Sequence, residues 1–238
     1  MYKNMSFLAV IPARGGSKGI PGKNIINVNG KPLIQYTVDA AKKSKYIDRI
    51  VVSTDDSKIA DVSIQCGAEV PFLRPENLAN DTAKTIDVLI HTLEELNKLG
   101  SHFDYIVLLQ PTQPLRTNEQ IDLAIENIVL QNAESLVSIT EVSEHPVLFR
   151  TLDPNGVVHN LLNTNSTIRR QDFPKIYRVN GSIYINKINE NFNSNTSLND
   201  NKLAFLMGRE FDIDIDEPFD LEVLKLILDQ KKQMPSLS

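Results

Sequence analysis

Phe7-Leu8-Ala9-Val10-Ile11-Pro12-Ala13-Arg14-Gly15-Gly16-Ser17-Lys18-Gly19-Ile20-Pro21-Gly22-Lys23-Asn24 is the stretch that decides the fold. Phe7–Ile11 is a continuous apolar run, suited to a buried strand and far too short to span a membrane. From Ile11 to Asn24 there are four glycines, three cations and no acid. Glycine lets the main chain approach a phosphate and expose its N–H groups. Arg14 offers a planar fork of donors; Lys18 and Lys23 are mobile point charges. A plain basic surface loop is the competing reading. The one-sided charge, placed directly after the first strand, weighs against it.

Two better-known phosphate motifs do not fit. A P-loop needs Gly where Ser17 stands and Ser or Thr where Asn24 stands. The dinucleotide fingerprint fails because Arg14 stands two places before Gly16.

Working outward, strands and helices alternate. Phe7–Pro12, Ile50–Thr54, Asp104–Gln110 and Ser135–Thr140 read as strands. Leu33–Lys45, Asp56–Gln65, Thr82–Leu99 and Thr117–Leu130 read as the helices between them. That order calls for a mainly parallel sheet with helices on both faces. Its ligands sit beyond the carboxyl ends of the strands, so the loops after Ile11, Thr54 and Leu109 are where to search. After residue 142 the pattern changes. Val147–Leu152 and Val157–Leu161 are short β-like runs around Asn155-Gly156, a hairpin signal. Residues 143–180 therefore read as an inserted β-rich arm on a single 1–238 domain. Gly181–Asn186, Leu203–Met207 and Phe211–Ile215 read as further strands, 189–201 as an asparagine-rich surface loop and Glu217–Gln230 as a closing helix.

The 238 residues are 41% hydrophobic and 23% charged, the balance of a globular chain that buries a core without staples. Net charge is −5, yet residues 1–38 hold Lys3, Arg14, Lys18, Lys23 and Lys31 and no acid. The opening is thus +5 and the remainder −10. A compact cationic patch on an acidic protein suits a small anion, not a nucleic acid. No stretch reads as a membrane span or signal peptide. With the single Cys66, expected to be a buried structural thiol, no internal disulfide is possible, and a cytoplasmic location is expected. The chain stops soon after its last helix, so no further carboxyl-terminal domain is expected.

Phe211-Asp212-Ile213-Asp214-Ile215-Asp216-Glu217 alternates strictly. On a strand the three aspartates share one face and repel unless a cation or solvent separates them. Mg²⁺ takes such oxygen ligands together with substrate phosphates. A solvated strand edge is the competing reading. His91, His102, His145 and His159 show no ligand spacing.

The segment Ile11–Asn24 resembles the signature of the acylneuraminate cytidylyltransferases, the CMP-sialic acid synthetases. The related Kdo cytidylyltransferases have Arg where this chain has Lys18. Other strings agree in order and spacing: Val52-Ser53-Thr54-Asp55, Arg74-Pro75-Glu76-Asn77-Leu78-Ala79-Asn80-Asp81-Thr82 and Leu108-Leu109-Gln110-Pro111-Thr112-Gln113-Pro114-Leu115-Arg116. Gln113 stands where the family string has Ser. Arg170-Gln171, Arg178-Val179-Asn180-Gly181 and Asp214-Ile215-Asp216 complete the match, which spans about residues 7–229.

The resemblance implies a Rossmann-like three-layer nucleotidyltransferase fold with a small β-rich dimerisation insertion. It implies CMP transfer from CTP to a nine-carbon 2-keto acid sugar, with N-acetylneuraminate as the first reading. Legionaminic or pseudaminic acid, and more remotely Kdo or a non-catalytic nucleotide sensor, remain alternatives. Arg14, Lys18, Lys23 and Asp214 are the expected catalytic set. Ala13, Gly15, Ser17, Asn24, Arg74, Asn80, Asp81 and Thr82 are expected around the nucleotide with Arg14 and Lys23. Gln110, Arg170, Arg178, Asn180 and Tyr184 are expected around the sugar. Asp214 and Asp216 are expected to hold Mg²⁺ or Mn²⁺, with Asp212 the weaker candidate. A homodimer is implied in which the arm, through Arg170, reaches the partner's sugar site; Arg150 is the open question there.

Overall fold

The apolar run Phe7–Pro12 forms β1, buried along its length with a strand on either side. The computed structural model describes residues 1–162, 167, 169 and 172–233. The other strands are β2 (Asn27–Val28), β3 (Lys31–Pro32), β4 (Arg49–Ser53), β5 (Tyr105–Leu108), β6 (Ser135–Glu141), β7 (Arg150–Leu152), β8 (Val158–Asn160), β9 (Tyr177–Lys187) and β10 (Leu203–Met207). The helices are α1 (Leu33–Lys43), α2 (Ser57–Gln65), α3 (Thr85–Lys98), α4 (Asn118–Leu130) and α5 (Pro218–Gln233).

The central sheet runs β10-β6-β9-β5-β1-β4. β1 is parallel to β4 and β5, and β10 to β6; β9 alone runs antiparallel, between β5 and β6. Side chains of β1 alternate between the two faces. Phe7, Ala9 and Ile11 pack with Ile34 and Val38 of α1 and Ile121 and Ile125 of α4. Leu8 and Val10 pack with Leu89 and Leu96 of α3. The result is a three-layer α/β structure, as the strand–helix alternation predicts.

A third apolar cluster positions the site. Ile20, from the loop after β1, packs with Ile215 and with Leu221 and Leu224 of α5. Burying a side chain of that size contributes about 1.5–3 kcal/mol. This cluster docks the far end of the chain against the amino-terminal loop.

Capping explains several helix starts. Asp56 caps α2 by accepting from the N–H groups of Lys58 and Ile59. Thr117 and Gln120 form a reciprocal capping box on α4. The long helix starts at Thr85, not Thr82: the Asn80 side chain accepts from both the N–H and the hydroxyl of Thr82, which favours a turn. Cys66 lies just past α2 and is half-buried.

The expected strand Phe211–Ile215 does not form. Arg209–Phe211 is a single 3₁₀ turn, and the residues that follow have no regular secondary structure and do not join the sheet. β10 already occupies the sheet edge with β6. The segment is held instead by its isoleucines and by the Ile215 N–H donating to the Thr112 carbonyl at 2.9 Å. β9 is longer than the expected Gly181–Asn186, so residues 177–180 belong to the central sheet, not to the arm. The hairpin β7–β8 is present, with Asp153 accepting from the N–H groups of Asn155 and Val157 in its turn.

Candidate active site

β1 lies between β4 and β5, so the chain leaves it towards one side and later returns on the other. The crevice opens beyond their carboxyl ends. A cavity of about 670 Å³ sits there, walled by the loop after β1, residues 74–85, the loop after β5 and the acidic segment.

Lys23 joins the two distant walls. Its Nζ donates to the Ile215 carbonyl at 2.7 Å and to Asp216 Oδ1 at 2.9 Å. Gly19 is required at this junction: a Cβ there would collide with the Asp216 carbonyl. Across the cavity Asp81 bridges the other two cations, meeting Arg14 Nη1 at 2.9 Å and Lys18 Nζ at 2.7 Å. Lys18 and then Arg14 hold the Asp81 carboxyl below its ordinary value.

Asp214 opens to the cavity, yet the protein around it strips away water and pushes its carboxyl up. The Thr112 hydroxyl donates to it and pulls the other way. Asp212 does not share this wall. It is nearly buried, and Arg178 Nη2 donates to both its oxygens at 2.9 Å.

Arg74 is buried below the cavity. Its Nε donates to the Ser53 hydroxyl and its Nη2 to the Ser53 carbonyl. Burial lowers its pKa, so the guanidinium is costly and anchored by backbone. The buried Asn24 donates to the Arg14 carbonyl at 3.1 Å and so fixes that cation's loop.

Not every expected nucleotide residue reaches the cavity. Ala13 is buried and its N–H bonds the Ser53 carbonyl; the Gly15 N–H bonds Asp55. Those two N–H groups are spent inside the fold. Thr82 is turned into the Asn80 bond, whereas Ser17, Asn80 and Asp81 line the wall. Thr112, Thr85 and Glu217 also line it and were not singled out. Thr112 could have been found from its place two residues past Gln110 in the same edge loop.

Gln110 also borders two neighbouring cavities, of about 600 and 380 Å³. Tyr184 lines both, and its hydroxyl donates to Asn199 at 3.1 Å. Burial, and then the charge of Asp214, push that phenol up. Arg178 lines the smaller cavity. Asn180 lines it too, but its buried side chain is engaged by Ser138, Thr140 and the Ser182 N–H. Arg170 and Gln171 lie outside the described residues.

A family model described as cytidylyltransferase matches residues 8–235. This chain belongs to the cytidylyltransferase family. The cytidylyltransferase is 39% identical over 231 residues to the CMP-N,N'-diacetyllegionaminic acid synthase of Legionella pneumophila, covering 96% of this chain and 99% of that one. It is 35% identical over 214 residues to the N-acylneuraminate cytidylyltransferase of Streptococcus agalactiae, covering 89% of this chain and 51% of that one. The chain therefore spans about half of that relative. Among solved structures, a CMP:2-keto-3-deoxy-manno-octonic acid synthetase complexed with CTP superposes with a TM-score of 0.72 at 17% identity, over 95% of this chain and 99% of that one. At that identity the likeness shows the shared fold. The cytidylyltransferase has the mostly parallel three-layer architecture that the resemblance implies.

Proposed function

We propose that this cytidylyltransferase transfers CMP from CTP to the anomeric hydroxyl of a nonulosonic acid, releasing pyrophosphate. The observation that carries the reading is Lys23, which draws the amino-terminal loop and the Ile215–Asp216 segment onto one cavity wall. Membership of the family and the two curated relatives support it.

CTP carries roughly four negative charges and the sugar acid one more, so approach is opposed by Coulomb repulsion. Arg14, Lys18 and Lys23 offset that charge. The triphosphate takes the place of Asp81 on Arg14 and Lys18, an exchange of one anion for another. Lys23 stabilises charge that grows on the departing pyrophosphate. Arg74 and Asn24 act by holding the loops; the cytosine lies towards Arg74 and the 80–85 turn. Gln110 and Tyr184 orient the sugar. Arg178 supplies the fork for its carboxylate. No covalent protein intermediate is required.

Asp214 and Asp216 fit a divalent cation by their chemistry: two carboxylates on one cavity wall, hard oxygen donors suited to Mg²⁺ or Mn²⁺. Among the described residues no group of three or more His, Cys, Asp or Glu forms a complete cage. Held there by Asp214 and Asp216, such an ion would supply Lewis-acid stabilisation of phosphate charge.

The arm presents Leu148, Phe149, Leu152, Val158 and Leu161 to solvent. Such a patch fits the homodimer interface of the proposal. Arg150 Nη1 donates to the Val147 and Phe149 carbonyls, within its own arm. Nucleic acid is no part of the proposed function, and the cytoplasm is the proposed location. Among the described residues no helix is long and apolar enough to cross a membrane.

N-acetylneuraminate is the first acceptor to test. Diacetyllegionaminic acid is the second, favoured by the 39% identity over nearly the full Legionella chain. The test is pyrophosphate release from CTP and Mg²⁺ across a nonulosonic acid panel, with the CMP-sugar identified by mass. Turnover on one of these acids is expected; no CMP-sugar from any would defeat the proposal.

A further inference from the structure

The loop after β5 contains a buried glutamine whose side chain has no partner. Gln113 is fully buried, and both its Oε1 and its Nε2 lack a hydrogen bond. A buried amide left unsatisfied costs free energy that an apolar side chain of the same shape would not. Packing therefore does not account for it.

Its surroundings suggest what it serves. Gly181, in β9, has φ +76, and a Cβ there would lie 2.7 Å from Gln110 Oε1 and 3.9 Å from Gln113 Nε2. The missing Cβ leaves a notch bordered by an acceptor on Gln110 and a donor on Gln113. The Gln110 main chain is anchored at the same place. Its carbonyl accepts from the Gln113 N–H at 3.3 Å and from both Nη atoms of the buried Arg116 at 3.4 Å. The Gln113 side chain is enclosed, whereas Gln110 faces three cavities and has room to turn.

We propose that Gln113 is a positioning residue for acceptor recognition. Its Nε2 takes the Gln110 amide oxygen across the notch over Gly181, which leaves the Gln110 N–H groups aimed at oxygens of the acid sugar. An amide has two ends of opposite character, and an acidic sugar rich in oxygens is better met by the donor end. This inference rests on the reading that the sugar lies against Gln110.

The test uses Gln113→Met, which keeps the length of the side chain and removes both polar atoms. The KM for the acid sugar should rise about tenfold, that for CTP should stay within twofold, and Tm should be unchanged or higher. Wild-type kinetics in the Met variant would overturn the proposal, as would equal rises in both KM values with a lowered Tm. A second readout does not need turnover: the Gln110 side-chain N–H₂ signals in ¹⁵N–¹H spectra should shift between wild type and Gln113→Met. Unchanged signals overturn the pairing. A wild type that forms no CMP-sugar defeats the functional reading instead, and the spectra still decide the pairing.

Discussion

On the β1 side of Gln110 the cavity wall carries Arg14, Lys18 and Lys23 together with Asp81, Asp214 and Asp216. On the β9 side it carries Tyr184, Asn199 and the Asn180–Gly181 backbone, with two charged members, Arg178, already paired with Asp212, and Asp214, shared with the first wall. The first wall is ionic and the second largely neutral. A triphosphate is held by charge, which is strong and tolerant of angle. A sugar is held by directed hydrogen bonds, which are weaker and selective. The difference teaches that changes on one side should alter rate and salt response, and on the other, choice of acceptor.

The most severe way to break this comparison is Lys23→Ala. Removing the cation that joins the loop to Asp216 should lower turnover by about 10²–10³-fold, measured as pyrophosphate release, while the protein still melts cooperatively. Undiminished release would show that the ionic wall is not where the reaction occurs. Asp214→Asn should cost about 10²-fold at saturating Mg²⁺ and leave metal-free CTP binding intact. Equal activity in that variant would remove the carboxylate from the proposed metal site.

Gln110→Ala sharpens the contrast. Loss of one neutral hydrogen-bonding group should raise the sugar KM about tenfold and leave the CTP KM within twofold. A larger effect on CTP would place Gln110 on the wrong side. Raising the salt should weaken CTP binding several-fold and sugar binding much less, since screening acts on exposed charges. The smallest effect is expected at Asp81. Asp81→Asn should tighten CTP binding a few-fold, because no carboxylate then competes for Arg14 and Lys18. Those cations hold its pKa below the ordinary 3.8, so its stabilising effect is complete above 3.8 and fades as pH falls through the lowered value. The variant should therefore show a flatter acid limb in Tm against pH.

Much of the architecture was legible because β1 and its neighbours follow simple periodicities. Phe7–Pro12 had to be buried on both faces, and the helices carry their own caps at Asp56 and Thr117. The cationic loop was legible because charge and glycine cluster locally. The acidic segment was misread as a strand because alternation records which side chains turn inward, not whether a neighbour is available for pairing. Ile213 and Ile215 do turn inward, onto α5 and Ile20. The fate of Ala13, Gly15 and Thr82 depended on hydrogen bonds to Ser53, Asp55 and Asn80, which no residue pattern encodes. Gln113 was visible as a departure from a string, but its lack of a partner appears only once β9 lies beside it.

The contact between Lys23 and Asp216 spans 193 positions of chain. During synthesis the basic loop emerges well before Ile215 and Asp216, the residues that Lys23 meets. Asp81 is present early to pair Arg14 and Lys18, but Lys23 lacks its partners, and the cavity lacks one wall, until the segment before α5 folds back. Trimming the chain ahead of Ile215 would leave the central sheet's strands intact in sequence yet sever the clasp, so the site closes only after every strand of that sheet has been made.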